Sequence, residues 1–310
     1  MKIKIPSRNT IPECELYVEI LRSSADETKQ LGNERPVMFM LPGGPGGNHT
    51  VYDGIKASLF KYADLVLIDP RGCGLSSCSE ARFCRMEESV NDIEALRQEL
   101  GIEKFILFGG SYGAMVSLRY AISYSVNLQG LILVAGAPSG ECFDTALETL
   151  RKIGTEEQIS LAEKLFAGRI ESVEEKERYY FIMRDIYLAR NKQDMVSDKK
   201  SIPTLGKKLP YFLELSNFGH STILPNYDVV KDLHKITAPT LLLAGERDWI
   251  NNVKYAYQMN ELIPNAELVV FPGAGHFIWQ GIEEQFYEKI ATFILNRLSS
   301  NSQRIERARL

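Results

Sequence analysis

The strongest constraint on this chain is Phe105-Ile106-Leu107-Phe108-Gly109-Gly110-Ser111-Tyr112-Gly113, an apolar strand that runs directly into Gly-x-Ser-x-Gly and then into an amphipathic segment. A strand that turns at once into a helix leaves one residue on a sharp elbow, and a serine there projects its hydroxyl from the sheet edge above the helix start. Gly109 and Gly113, two residues to either side, put no Cβ between the strand and the helix. The bare pattern is weak in a chain with 23 glycines. The strand and helix around it make Ser111 a candidate nucleophile.

A serine hydroxyl at its free pKa attacks poorly, so an imidazole must take its proton and a carboxylate must hold that imidazole in the right tautomer. Two later apolar runs offer both groups. Pro239-Thr240-Leu241-Leu242-Leu243-Ala244 ends in Gly245-Glu246-Arg247-Asp248, and Leu268-Val269-Val270-Phe271 ends in Pro272-Gly273-Ala274-Gly275-His276. Of four histidines, His220 and His234 lie in a charged middle segment, and His49 follows a glycine loop with no strand end to fix it, where it can line a pocket. His276 directly follows a strand and is the expected base. Asp248 is preferred to Glu246 because the acid belongs in the loop beyond the strand; Glu246 reads as a surface or supporting group. The order Ser, Asp, His is that of the α/β-hydrolase triad and of neither other known triad order.

Negative charge developing on the substrate oxygen needs backbone N–H donors already in place. Val37-Met38-Phe39-Met40-Leu41 reads as a buried strand, followed by Pro42-Gly43-Gly44-Pro45-Gly46-Gly47, whose glycines let the backbone approach a ligand closely. The amides of Gly44 and Tyr112 are the expected oxyanion donors.

The rest of the chain reads as an α/β protein with a mostly parallel sheet and helices on both faces. Leu16, Val18 and Ile20 alternate like a half-buried strand, and residues 23–34 are polar and turn-like. Residues 64–69 and 131–134 are further buried strands, and Val90, Ile93, Leu96 and Leu100 mark a helix ending at Gly101. Residues 141–235 change to charged helical stretches such as Glu174-Glu175-Lys176-Glu177-Arg178-Tyr179-Tyr180, expected to be a helical cap whose charge runs are solvated faces. The core then comprises 1–140 and 236–310. Tyr179, Tyr180, Phe181, Tyr187, Tyr211, Phe212 and Phe218 are expected mostly as cap core, with some lining a pocket.

At 310 residues, 45% hydrophobic and 25% charged, the chain has the make-up of one soluble enzyme. A net charge of −4 gives no electrostatic footprint for nucleic acid. No apolar run reaches the length of a membrane span, and the first six residues lack the apolar stretch of a secretion signal. Five cysteines, an odd number, point to a reducing, cytoplasmic compartment. Cys73, Cys78 and Cys84 crowd one region without C-x-x-C spacing or a neighbouring histidine, so no metal is expected. The basic tail over 304–309 reads as a frayed end.

Gly43-Gly44-Pro45-Gly46-Gly47, Asp69-Pro70-Arg71-Gly72-Cys73-Gly74-Leu75-Ser76, Gly109-Gly110-Ser111-Tyr112-Gly113, Gly245-Glu246-Arg247-Asp248 and Gly275-His276 together resemble the proline iminopeptidases and the related tricorn-interacting aminopeptidases. The resemblance covers the core on both sides of the cap. It implies a cytosolic, cofactor-free enzyme that removes an N-terminal residue, often proline, from short peptides. It carries over the triad Ser111, Asp248 and His276 and the oxyanion donors Gly44 and Tyr112.

The departures concern substrate. Pro42 stands where the family usually has a histidine before the glycine loop. The family holds the substrate ammonium with carboxylates, at positions that correspond here to Asn217, before Phe218, and in some members to Trp249. An amide and an indole cannot neutralise a buried ammonium. Either Glu214, three residues earlier, takes that part, or the substrate is not an amino-terminal peptide. Gly43, Glu214, Asn217 and Trp249 are therefore the candidate substrate-binding residues. Three readings stand: an aminopeptidase of iminopeptidase type, an esterase or lactonase acting on a neutral acyl group, and a non-hydrolytic small-molecule sensor with the same fold.

Overall fold

In a computed structural model of the chain, which describes residues 1–23, 35–189, 209 and 212–298, eight apolar runs become strands of one sheet. They are β1 (Lys2–Ile5), β2 (Cys14–Leu21), β3 (Val37–Leu41), β4 (Asp64–Ile68), β5 (Phe105–Gly110), β6 (Leu128–Val134), β7 (Thr240–Gly245) and β8 (Ala266–Phe271). Their spatial order is β1-β2-β4-β3-β5-β6-β7-β8. The pairs β1–β2 and β2–β4 are antiparallel, and every other neighbouring pair is parallel. β5 and β7 are buried at every residue, as strands covered on both faces must be. β1 is too short to register as periodic in the sequence, since only Ile3 and Ile5 turn inward.

Because side chains alternate along a strand, the sheet feeds two apolar layers. Phe39, Val66, Leu107, Leu131 and Leu242 pack on one face with helices α2 (Met86–Glu99), α3 (Tyr112–Tyr124) and α8 (Val253–Leu262). Met38, Leu67, Phe108, Ile132 and Leu243 pack on the other with α1 (Lys56–Leu59) and α9 (Glu283–Thr292). Between β6 and β7 the described residues form helices and no strand: α4 (Glu141–Ile153), α5 (Glu156–Phe166), α6 (Val173–Tyr187) and α7 (Leu213–Phe218). α5 opens on a capping box, with the Thr155 hydroxyl accepting the Gln158 N–H and the Gln158 side chain accepting the Thr155 N–H. None of the described helices is long and apolar enough to cross a membrane.

These helices carry a third core of Ala146, Leu150, Leu165, Tyr179, Met183 and Tyr187, into which Trp249 and Ile250 reach from the loop after β7. The aromatic residues fall mostly in or against apolar clusters, and one expectation, on the charge run, needs correction. Phe181 is exposed, whereas Tyr179 and Tyr187 are buried and Tyr180, Phe212 and Phe218 are half-buried. Lys176 is not part of a solvated face: the helical period turns it inward, where its Nζ donates to Ser216 Oγ at 2.7 Å. Tyr211, residues 24–34 of the polar segment and the basic tail lie outside the described residues.

At the end of β5 the backbone of Ser111 is held at φ 54°, ψ −118°, a conformation that costs a non-glycine residue about 1–3 kcal/mol and persists only when its surroundings impose it. What imposes it is the closeness of α3 to β3 and β5. A Cβ on Gly113 would lie 2.3 Å from the Leu41 carbonyl oxygen, and one on Gly109 would lie 2.4 Å from the Gly113 carbonyl oxygen. Neither atom is a movable side chain. Gly113→Ala should therefore destabilise the protein by at least about 1–3 kcal/mol, the cost of overpacking. A urea midpoint unchanged from wild type would show that α3 has room to shift.

Candidate active site

Strands β5 to β8 run parallel, so the loops leaving their carboxyl ends emerge along one edge of the sheet. Ser111 follows β5, Asp248 follows β7 and His276 follows β8. The structure brings the three side chains into one hydrogen-bonded line. His276 Nε2 lies 3.0 Å from Ser111 Oγ, and His276 Nδ1 lies 2.7 Å from Asp248 Oδ2. The other carboxylate oxygen, Asp248 Oδ1, accepts the N–H groups of Ile250 at 2.9 Å and Asn251 at 3.0 Å. Asp248 is 2% exposed and His276 5%, so both lie out of bulk water, where hydrogen bonds strengthen. With both its oxygens engaged the carboxylate cannot rotate. It accepts a hydrogen bond from the Nδ1–H of the imidazole, which fixes that tautomer and leaves Nε2 as an acceptor facing the serine hydroxyl. Glu246 is exposed and accepts the Gly273 N–H, apart from this line.

The glycine loop after β3 lies directly against the serine. A Cβ on Gly43 would stand 3.3 Å from Ser111 Cβ, and one on Gly47 would fall 2.0 Å from the Gly43 carbonyl oxygen, so the loop doubles back on itself. Gly44 is the next residue after Gly43 in that turn. Tyr112 opens α3, and the N–H of a first helical residue has no carbonyl of its own helix to bond. From above, the turn Gly219–Ile223 presses on this loop, with a Cβ on Gly219 falling 2.4 Å from Pro45 Cβ.

His49 has the anchor that its sequence position did not suggest. Asp69, fully buried at the end of β4, accepts both the His49 backbone N–H and its ring Nδ1 through Oδ1, each at 2.7 Å. Its Oδ2 accepts the Leu75 N–H at 2.8 Å, and its carbonyl accepts from Ser76 Oγ at 2.7 Å. The segment from Asp69 to Ser76 thus fastens two loops beside the elbow, and His49 belongs to that fastening. Arg71 of the same segment makes a buried two-pronged bond to Asp92, with Nε–Oδ2 at 2.9 Å and Nη2–Oδ1 at 2.7 Å.

The candidate substrate-binding residues of the helical segment do not converge. Glu214 is exposed in the first turn of α7. Asn217 donates through Nδ2 to the Ile170 carbonyl at 2.7 Å, while its Oδ1 is buried without a partner. Trp249 is 2% exposed, with an unpartnered indole N–H. Its ring stacks on Phe166 at 6.2 Å and meets Tyr187 edge-on at 5.6 Å; Tyr187 in turn lies 5.6 Å from the His276 ring. An aromatic wall therefore leads to the histidine.

Behind that wall lie two residues that sequence reasoning left among the charged stretches. Burial pushes the Lys176 ammonium down to about 7. Burial, helped by Lys176, lowers the His220 imidazole to about 3, so the ring is neutral; its Nδ1 donates to the Ser216 carbonyl at 2.8 Å, and its face stacks on Phe166. The one available signal is spacing: Ser216 and His220 are four apart, one helical turn. Among the described residues no group of three or more metal-ligating side chains forms.

Residues 36–279 match the model of the α/β-hydrolase fold family. A proline iminopeptidase of Saccharolobus solfataricus is 30% identical over 83% of this chain and 84% of its own. A proline iminopeptidase of Thermoplasma volcanium is 26% identical over 83% and 90%. Among solved structures, a proline iminopeptidase of Mycobacterium smegmatis superposes with a TM-score of 0.69 at 21% identity, covering 97% of this chain and all of the other. A proline iminopeptidase-related protein of Thermus thermophilus gives 0.70 at 24% identity, covering 96% and 99%. The chain belongs to the α/β-hydrolase fold family, on the branch that holds the proline iminopeptidases.

Proposed function

We propose that the protein is a serine hydrolase that works through an acyl-enzyme and removes one N-terminal residue from short peptides or related amides. The observation that carries the chemistry is the line Asp248–His276–Ser111, with Nε2 at 3.0 Å from Oγ. On this reading Ser111 Oγ attacks the first carbonyl of the substrate while its proton passes to His276 Nε2. Asp248 stabilises the resulting imidazolium. The carbonyl oxygen, now negative, is met by the N–H groups of Tyr112 and Gly44. His276 then gives its proton to the leaving amine, and water, deprotonated by the same imidazole, frees the acyl group. The described helices between β6 and β7 serve as a cap over this edge. The substrate part of the reading is supported by the proline iminopeptidase names of the relatives at 25–30% identity.

One observation favours a second reading, an esterase or lactonase acting on a neutral acyl group. Where amine-anchoring carboxylates would stand, the chain has Asn217, tied to Ile170, and the buried Trp249, while Glu214 is exposed. Desolvating a substrate ammonium against an amide and an indole is unfavourable.

A panel of Pro-, Ala- and Leu-arylamides beside short-chain nitrophenyl esters separates the two, with arylamide turnover expected. Turnover of the esters alone would replace the peptidase reading with the second. Ser111→Ala should lower kcat by about 10⁶-fold with the fold unchanged by circular dichroism. Wild-type Ser111 should label with a fluorophosphonate; an unreactive serine would turn the assignment towards a sensor. Asp248→Asn should lower kcat by roughly 10⁴-fold because the imidazole loses its tautomer, and a loss under tenfold would remove Asp248 from the line.

A further inference from the structure

All five cysteines are free thiols, and two are placed as partners. Cys78 Sγ and Cys84 Sγ lie 2.8 Å apart, against about 2.05 Å in a formed disulfide. Both sit in the loop after β4, with Cys84 closing the helical turn Ala81–Phe83. Cys84 is 6% exposed, while Cys78 is half-buried and reaches solvent. The two are thus unequal: one thiol open to a reagent, one shielded behind it. We propose that Cys78 and Cys84 form a peroxide-sensitive dithiol, in which Cys78 is the attacking sulfur and Cys84 the resolving one, closing reversibly to an intramolecular disulfide.

The electrostatics support the division of roles. The Cys84 thiol donates its hydrogen bond to Cys78 and so lowers the Cys78 pKa, with further help from the Glu80 backbone and the Arg71 charge, against the opposing effects of burial and Asp92. The same bond, with burial, raises Cys84. The bond from Cys84 thus favours the thiolate on the solvent-reaching Cys78 rather than on the shielded sulfur. That thiolate attacks one oxygen of a hydroperoxide, breaking the O–O bond; an alcohol or water leaves, and Cys78 becomes a sulfenic acid. The Cys84 sulfur then attacks the sulfenic sulfur, the S–S bond forms, and the departing hydroxide takes the Cys84 proton as water. Two thiols lose two electrons and the peroxide gains two. A dithiol reductant reverses the change.

The pair is also placed where its state is felt. Cys84 belongs to a small apolar cluster with Cys73, Ala81 and Leu215, the last from α7. A Cβ on Gly72 would lie 2.7 Å from Leu215 Cδ1, 3.0 Å from Cys84 Sγ and 3.1 Å from Cys78 Cβ, so helix and cysteine pair share one contact surface.

The test is a thiol map of the full chain treated with hydrogen peroxide, unfolded in the presence of an alkylating reagent and digested without reductant. The expected result is loss of two of the five alkylatable thiols, recovery of a cross-linked Cys78–Cys84 peptide, and return of both thiols after dithiothreitol. In Cys84→Ser, Cys78 should be trapped by dimedone as the sulfenic acid. Cys78→Ser should leave Cys84 reduced. Full alkylation of both wild-type cysteines after peroxide, or a Cys78 sulfinic acid with no cross-link, would overturn the proposal. Because the map is read on wild-type protein, it decides the matter even if a variant fails to fold.

Discussion

Helix α3 begins so near β3 that no side chain fits between them, and this single close approach governs the rest of the site. Gly113 faces the Leu41 carbonyl, and Gly109 faces the Gly113 carbonyl. With both contacts closed, the chain between strand and helix has only a tight path, and Ser111 takes a positive φ along it. The strain is offset by packing on both sides: β5 lies between β3 and β6, and α3 buries Leu118, Tyr120 and Ala121 in the core beneath. A hydroxyl held this way loses little rotational freedom on meeting a reactant, which is how positioning lowers a barrier.

The elements that follow from local pattern are legible in the sequence. The central strands are continuous apolar runs because parallel strands are buried on both faces, and the three residues of the Asp248–His276–Ser111 line follow such runs directly. β1 escapes notice because four residues with two inward isoleucines are below what periodicity can register. His49 is a different kind of omission. Its anchor is Asp69, twenty residues away on another loop, and only the folded register of β3 against β4 brings their loops together. Lys176 sits in a run of charge that reads as solvated. A helix exposes only part of such a run, and the residue on its inner stripe is buried whatever its neighbours are.

The hydrogen-bonded line and the wall beside it come from different parts of the molecule, and they differ in how far residue type alone exposes them. Asp248, His276 and Ser111 sit just beyond strand ends, where the sheet fixes their separation. The wall beside them comes from long-range contacts of the inserted helices: Phe166 on α5, Tyr187 on α6 and Trp249 from the β7 loop meet edge-on or stacked. The wall is aromatic, and behind it stand a neutral imidazole and a lysine whose ammonium is disfavoured by burial. Ser216 connects the two, its hydroxyl accepting from Lys176 and its carbonyl from His220.

The loop from Asp69 to Cys84 links these parts. Its first residue fastens His49 and the turn beside the elbow, Arg71 is locked to Asp92 on α2, and its last residues support Leu215 on α7. Those anchors differ in rigidity. The first two are buried charged bonds whose loss leaves an uncompensated charge, which is strongly destabilising. The last is an apolar contact through thiols, which tolerates a small adjustment at low cost. The sulfur pair therefore shares a contact with α7, the helix that carries Ser216 and Asn217.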